Sequence, residues 1–192
     1  KLIRKFYGNS TDVKVLSHFT KELDDLKITQ KNSDKYDLVF HGTDMEEKGS
    51  HYILKLFSEL SEYKCLVPFK LKSHPENINA KDMTWHSGLG DAVSKARVVF
   101  CPSLWTATPE TSILKSLINP GLVAAFDFEN SFSHELPDNT IIKLTGNIIS
   151  DAEIIRNILS STTEQEIRIK ESKSFVKEHL GKAKLNLISY FE

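Results

Sequence analysis

The stretch from Ala96 to Ala125 constrains the fold more than any other part of the chain. It passes from a β-branched apolar run, through a polar loop and a helical pattern, into a second apolar run. Ala96-Arg97-Val98-Val99-Phe100-Cys101 is short and bounded by Pro102, which suits a buried strand. Pro109 stands where a helix starts and Pro120-Gly121 where one stops, so the spacing predicts a helix over 110–118 and a strand over Leu122–Phe126.

The same alternation recurs elsewhere. Tyr36–His41 reads as a strand ended by Gly42, and Lys48–Tyr63 carries Tyr52, Ile53, Leu56, Phe57 and Leu60 at helical spacing. Cys65–Phe69 reads as a strand in which Pro68 marks an edge position or a strand end; Met83-Thr84-Trp85 is a candidate third strand and Leu89–Lys95 a short helix. Thr140–Leu144 is a further strand, followed by helices near 151–160 and 163–180 and a closing apolar segment, Leu185–Phe191. Strands that alternate with helices imply an α/β fold: a Rossmann-like open parallel sheet with helices on both faces and right-handed crossovers. Residues 1–34 fit less well, with Val13–Leu16 as a strand, Phe19–Leu26 as a short helix and Thr29–Lys35 as polar linker. The expected division is an N-terminal segment or linker over 1–34 and one Rossmann-like domain over 35–192. Asn9-Ser10-Thr11 reads as a polar turn.

Composition narrows the classes of function. With 192 residues, 40% hydrophobic and 27% charged, the chain can bury one core and is too short for two ordinary domains. A net charge of -1 supplies no global field for nucleic acid. Cys65 and Cys101 both sit in apolar runs without a metal-type or redox-type partner, as reduced core residues do. No run approaches bilayer-spanning length and no signal-type apolar core follows Lys1-Leu2-Ile3-Arg4-Lys5, so the expected location is cytoplasmic, free or peripheral to a membrane. A first residue of Lys is what a piece of a longer protein would show.

In an open α/β sheet, ligands bind where loops leave the carboxyl ends of strands and feed helix N-termini. That places a site between Ser103 and Ser112. Lys48 and Lys115 are the candidate cations for a phosphate; a solvated lysine explains each equally simply. Glu110, Thr111 and Ser112 fill the first turn of the predicted helix, where they cap it or meet a ligand. Ser103 can do either, and Trp105 can stack on a sugar or base or pack on its own loop. Of the seven histidines, His41 and His86 fall near strand ends, and none is paired at metal-ligand spacing, so no metal is expected. There is no Gly-x-Gly-x-x-Gly, Walker sequence or nucleophile elbow, which argues against the common NAD, ATP and hydrolase designs.

These residues resemble a family. An apolar strand, Gly42, five residues, Lys48-Gly49 and an amphipathic helix come first; Val98-Val99-Phe100-Cys101-Pro102-Ser103 follows, then helix, glycine and apolar strand. The order is similar to the C-terminal, nucleotide-sugar-binding domain of the two-lobed GT-B glycosyltransferases of the "group 1" superfamily, related in this half to glycogen synthases. The resemblance covers about residues 36–190. In that family the first loop reads Gly-Arg, a few residues, Lys-Gly, with Arg and Lys holding the donor diphosphate; here Gly42 and Lys48-Gly49 match, and Thr43 stands at the Arg position. The family's two glutamates after Pro-Ser would fall at Ala107 and Lys115, neither of them Glu, while Glu110 lies three residues beyond the first.

The resemblance implies a nucleotide-sugar glycosyltransferase, metal-independent and retaining, with no cofactor besides the sugar donor as substrate. Its acceptor would enter from an N-terminal lobe absent from this chain. Donor binding is assigned to Gly42, Thr43, Lys48, Gly49, His86, Ser103, Trp105, Thr111 and Ser112, and catalysis to Glu110 and Lys115. The missing glutamates leave two other readings open, a degenerate, non-catalytic binding module and a related sugar-nucleotide epimerase.

Overall fold

In the computed structural model the described residues are 36–105, 110–119, 121–129 and 131–191, with side chains as far as His179. Six parallel strands form one sheet in the order β3-β2-β1-β4-β5-β6. They are β1 (Tyr36–Phe40), β2 (Cys65–Val67), β3 (Ile78–Ala80), β4 (Ala96–Phe100), β5 (Leu122–Phe126) and β6 (Ile142–Leu144). The helices are α1 (Ser50–Glu59), α2 (Gly90–Ser94), α3 (Thr111–Leu117), α4 (Ile148–Ser160) and α5 (Thr162–Phe191). From β1 the chain builds outward through β2 and β3, then returns to lay β4 beside β1 and builds outward again on the other side. β1 and β4 are in register, Leu38 opposite Val98 and Phe40 opposite Phe100.

A sheet covered on both faces needs strands that are apolar at every position, and the central strands meet that demand. Leu38, Phe40, Val98, Phe100, Leu122 and Ala124 face one cluster, closed by Ile53, Leu56 and Phe57 of α1 and Ala152, Ile155 and Ile158 of α4. The intervening Val39, Val99, Val123 and Ala125 face the other, closed by Ala92 and Val93 of α2, Ile113, Leu114 and Leu117 of α3 and Val176 of α5. The expected α/β fold with helices on both faces is the observed one.

The differences from expectation are local and have local causes. The third strand is Ile78–Ala80, not Met83–Trp85, because Thr84 and Ser87 exchange side-chain and backbone hydrogen bonds in a capping box that opens a helical turn at Trp85–Leu89. Pro68 marks a strand end, since β2 stops at Val67 and lies inside the sheet between β1 and β3. Lys48 belongs to a separate short turn, Glu46–Lys48; Gly49, in the left-handed region at φ 77°, divides that turn from α1. α4 starts at Ile148 because Asn147 caps it through Ser150 N–H, and α5 runs on to Phe191, taking in the closing apolar segment. The strand and helix expected within 1–34, and the start and stop residues Pro109 and Pro120, lie outside the described residues. Cys65 and Cys101 are free and buried, and burial pushes the Cys101 thiol up to about 12 and Cys65 higher still, so neither is a nucleophile near neutral pH.

Candidate functional site

The crossover from β3 back to β4 leaves a gap at the carboxyl edge where the loops after β1 and β4 diverge, the position at which doubly wound sheets hold ligands. A cleft of about 530 Å³ opens there. His41, Gly42, Thr43 and Lys48 line it from the loop after β1, Met83, Thr84, Trp85 and Leu89 from the segment after β3, and Trp105 and Glu110 from the loop after β4 with Thr111 and Ser112 of the first turn of α3. Three segments distant in sequence thus line one cleft.

Two of these loops are tied directly. Leu104 N–H donates to the Glu47 carbonyl at 2.8 Å, and Gly49 packs against Pro102 so closely that a Cβ there would meet the Pro102 carbonyl oxygen at 2.3 Å. The close approach sets Lys48 facing the β4 loop. Its Nζ lies 3.2 Å from Glu110 Oε1 and 3.4 Å from Ser103 Oγ, and sits 5.1 Å from the centre of the Trp105 ring. Glu110 is 8% exposed and also accepts from Ser112 Oγ at 3.1 Å, while Trp105 is 60% exposed at the cleft mouth. A buried carboxylate needs such donors, so Lys48 stabilises Glu110 as much as it serves the cleft.

On the opposite wall His41 stacks on Trp85, with ring centres 4.9 Å apart, and its Nδ1 lies 2.8 Å from Ser116 Oγ, which in turn lies 3.5 Å from Cys101 Sγ. Lys115 Nζ stands 5.2 Å from the Trp85 ring centre. Burial, and then the positive charge of Lys115, push His41 down to about 4, against the pull of a hydrogen bond with the Ser112 backbone. His41 is therefore a neutral, fixed part of the wall.

The pKa of His41 has a measurable consequence. Between the ordinary value of 6.5 and the folded value of about 4 the unfolded chain binds more protons, so this stabilisation is complete above pH 6.5 and is lost as pH falls through that window. A shift of this size corresponds to about 3 kcal/mol at most. Urea unfolding at a series of pH values should show the decline, and His41→Gln should flatten it. An equally steep decline in the variant would place the acid sensitivity elsewhere.

The structure brings Gly42, Thr43, Lys48, Trp105, Glu110, Thr111 and Ser112 to the cleft. Gly49 and Ser103 are buried just behind it, where they hold the two loops together. His86 points elsewhere: it is exposed on the Trp85–Leu89 turn, and its neighbour Trp85 lines the wall instead. Lys115, one helical turn beyond Ser112, is not among the residues that line the cleft; its Nζ stands 5.2 Å from the ring centre of Trp85, which does. Met83, Trp85 and Leu89 were not expected here; the sequence signal for them was the Thr84-x-x-Ser87 box, which turns the segment out of the sheet. Among the described residues no cluster of His, Cys, Asp or Glu has the arrangement of a metal site. No helix among them is long and apolar enough to cross a membrane.

No protein-family model matches the chain, and no curated protein sequence does. Solved structures match in fold. Sucrose-phosphate synthase from Thermosynechococcus elongatus superposes with a TM-score of 0.66 at 12% identity, over 83% of this chain and 46% of its own. TarM from S. aureus, solved in a complex containing UDP, gives 0.62 at 15% identity, over 87% of this chain and 38% of its own. HepE from Anabaena, in complex with UDP and glucose, gives 0.56 at 12% identity, over 82% and 48%. The chain has the fold of one lobe of a GT-B glycosyltransferase and spans less than half the length of these proteins.

Proposed function

We propose that this GT-B-type lobe binds the donor of a nucleotide-sugar-dependent glycosyltransferase. The observation that carries the reading is the coincidence, in one cleft at the topological switch point, of a cation, a buried carboxylate and two indole rings. The two similar structures solved with UDP support it as proteins of the same fold. In this reading Lys48 neutralises charge on the departing nucleotide phosphate, and Glu110, Thr111 and Ser112 take the sugar hydroxyls as acceptor and donors. Trp105, exposed at the mouth, supplies a face for a ring of the donor. Transfer is metal-independent and retaining, as the family resemblance implies, and the acceptor comes from a second lobe that closes the cleft.

Lys48→Ala tests the assignment. The variant should bind the nucleotide at least about tenfold more weakly by calorimetry, the scale of one lost charge-assisted contact. Circular dichroism would establish that the fold is intact. Unchanged affinity would remove Lys48 from the site. A second reading, a non-catalytic binding module, is favoured by one observation: where the family resemblance expects a second carboxylate, Lys115 puts an ammonium over Trp85. Assembled with an acceptor-bearing lobe, a transferase releases nucleotide from its donor in the presence of acceptor, whereas a binding module releases none.

A further inference from the structure

Glu110 and Lys48 both line the cleft, and each already serves the other. The Glu110 carboxylate is 8% exposed and accepts from Lys48 Nζ at 3.2 Å and from Ser112 Oγ at 3.1 Å. A carboxylate removed from water needs such donors, and the charged one does most to hold it. The Lys48 ammonium has three N–H bonds; one reaches Glu110 and another reaches Ser103 Oγ at 3.4 Å. A phosphate that enters the cleft takes the third or displaces one of these. Either way it meets the carboxylate, because two acceptors on one ammonium stand only about 5 Å apart. The phosphate therefore draws Lys48 away from Glu110 and repels the carboxylate, which burial leaves poorly screened.

The cost depends on what the phosphate carries. A hydroxyl donor attached beyond the phosphate gives back to Glu110 what the phosphate withdraws, and a bare nucleotide has none to give there. The terminal phosphate of a bare diphosphate also carries a charge of about -1.5 to -2 near pH 7, against about -1 once a sugar esterifies it. We infer that the Lys48–Glu110 pair makes this cleft select the sugar-bearing donor over the bare nucleoside diphosphate, with Glu110 reading the presence of the sugar. The inference rests on the reading of the chain as a nucleotide-sugar donor lobe. Its consequence for a transferase is that the nucleotide left after transfer is the weaker ligand and departs.

The test is calorimetric titration of the full chain, in buffer with a chelator so that no added metal neutralises phosphate. The probes are UDP, GDP and ADP, set against UDP-glucose, UDP-N-acetylglucosamine, GDP-mannose and ADP-glucose. The expected result is that, for one base, a sugar conjugate binds about tenfold or more tightly than its diphosphate, the scale of a hydrogen bond to a charged group. In Glu110→Gln, which keeps the side-chain shape and removes the charge, that preference should vanish, chiefly through tighter binding of the bare diphosphate. A diphosphate that binds as tightly as all of its conjugates overturns this inference and leaves the donor-lobe reading standing. A preference that survives in Glu110→Gln overturns it as well, because another group then reads the sugar. No binding by any of the probes overturns both readings. Circular dichroism and the unfolding midpoint establish that the variant is folded; should it not fold, Glu110→Asp, which keeps the charge and withdraws it by one methylene, should reduce the preference in the same way.

Discussion

Asp151→Ala should lower the unfolding free energy by about 4 kcal/mol, from the loss of several buried hydrogen bonds at once. Asp151 has no exposed surface, and four donors converge on it. Thr145 N–H and Thr145 Oγ1 reach Oδ1 at 2.8 and 2.9 Å, while Gly146 N–H and the Tyr52 hydroxyl reach Oδ2 at 2.9 and 2.6 Å. Alanine leaves backbone N–H groups at the start of α4 and a half-buried phenol without acceptors, and water has little room to replace the carboxylate. Burial and the Asp151 contact both raise the Tyr52 pKa, so Tyr52 stays a donor across the accessible pH range. Urea denaturation should show a lower midpoint with an unchanged m value. A loss below about 1 kcal/mol would mean that the Thr145–Gly146 loop moves out to solvent at little cost.

Gly49→Ala should be nearly as severe, at about 3 kcal/mol, and should weaken nucleotide binding as well. The residue combines a left-handed φ of 77° with a Cβ position 2.3 Å from the Pro102 carbonyl oxygen. The first costs about 1 kcal/mol for a side chain that prefers negative φ. The second cannot be relieved by a rotamer change, because the obstructing atom is backbone. Relief requires the loop after β4 to move away from the loop after β1, which carries Ser103 and Glu110 away from Lys48. Chemical denaturation reads the first effect and calorimetry the second. A variant with lost stability and intact binding would separate the loop contact from the site.

The sheet was legible because its strands are buried on both faces and therefore spell continuous apolar runs: Tyr36–Phe40, Ala96–Phe100 and Leu122–Phe126 emerge as expected. β3 was not. Ile78-Asn79-Ala80 offers one large apolar side chain, and its pairing with β2 comes from the register of Cys65 opposite Ile78, which no local pattern announces. The neighbouring Met83–Trp85 looked more strand-like by composition, yet two hydroxyls that satisfy backbone groups locally bend it into a turn.

Of the site, the sequence alone determined the carboxyl-edge loops, with Gly42, Lys48 and the stretch from Ser103 to Ser112 marked by the glycine and prolines that end strands and bound helices. Those are local signals, set by which backbone conformations and hydrogen bonds each residue type allows. Only the tertiary structure decided which side chains meet. Lys48 and Glu110 stand 62 positions apart and become partners because β4 returns to lie beside β1 and Gly49 lets the two loops touch. Trp85 enters the cleft, and His86 leaves it, for the same kind of reason: a helical turn sends successive side chains in different directions, and the phase of that turn is set by a cap, not by the residues it displays.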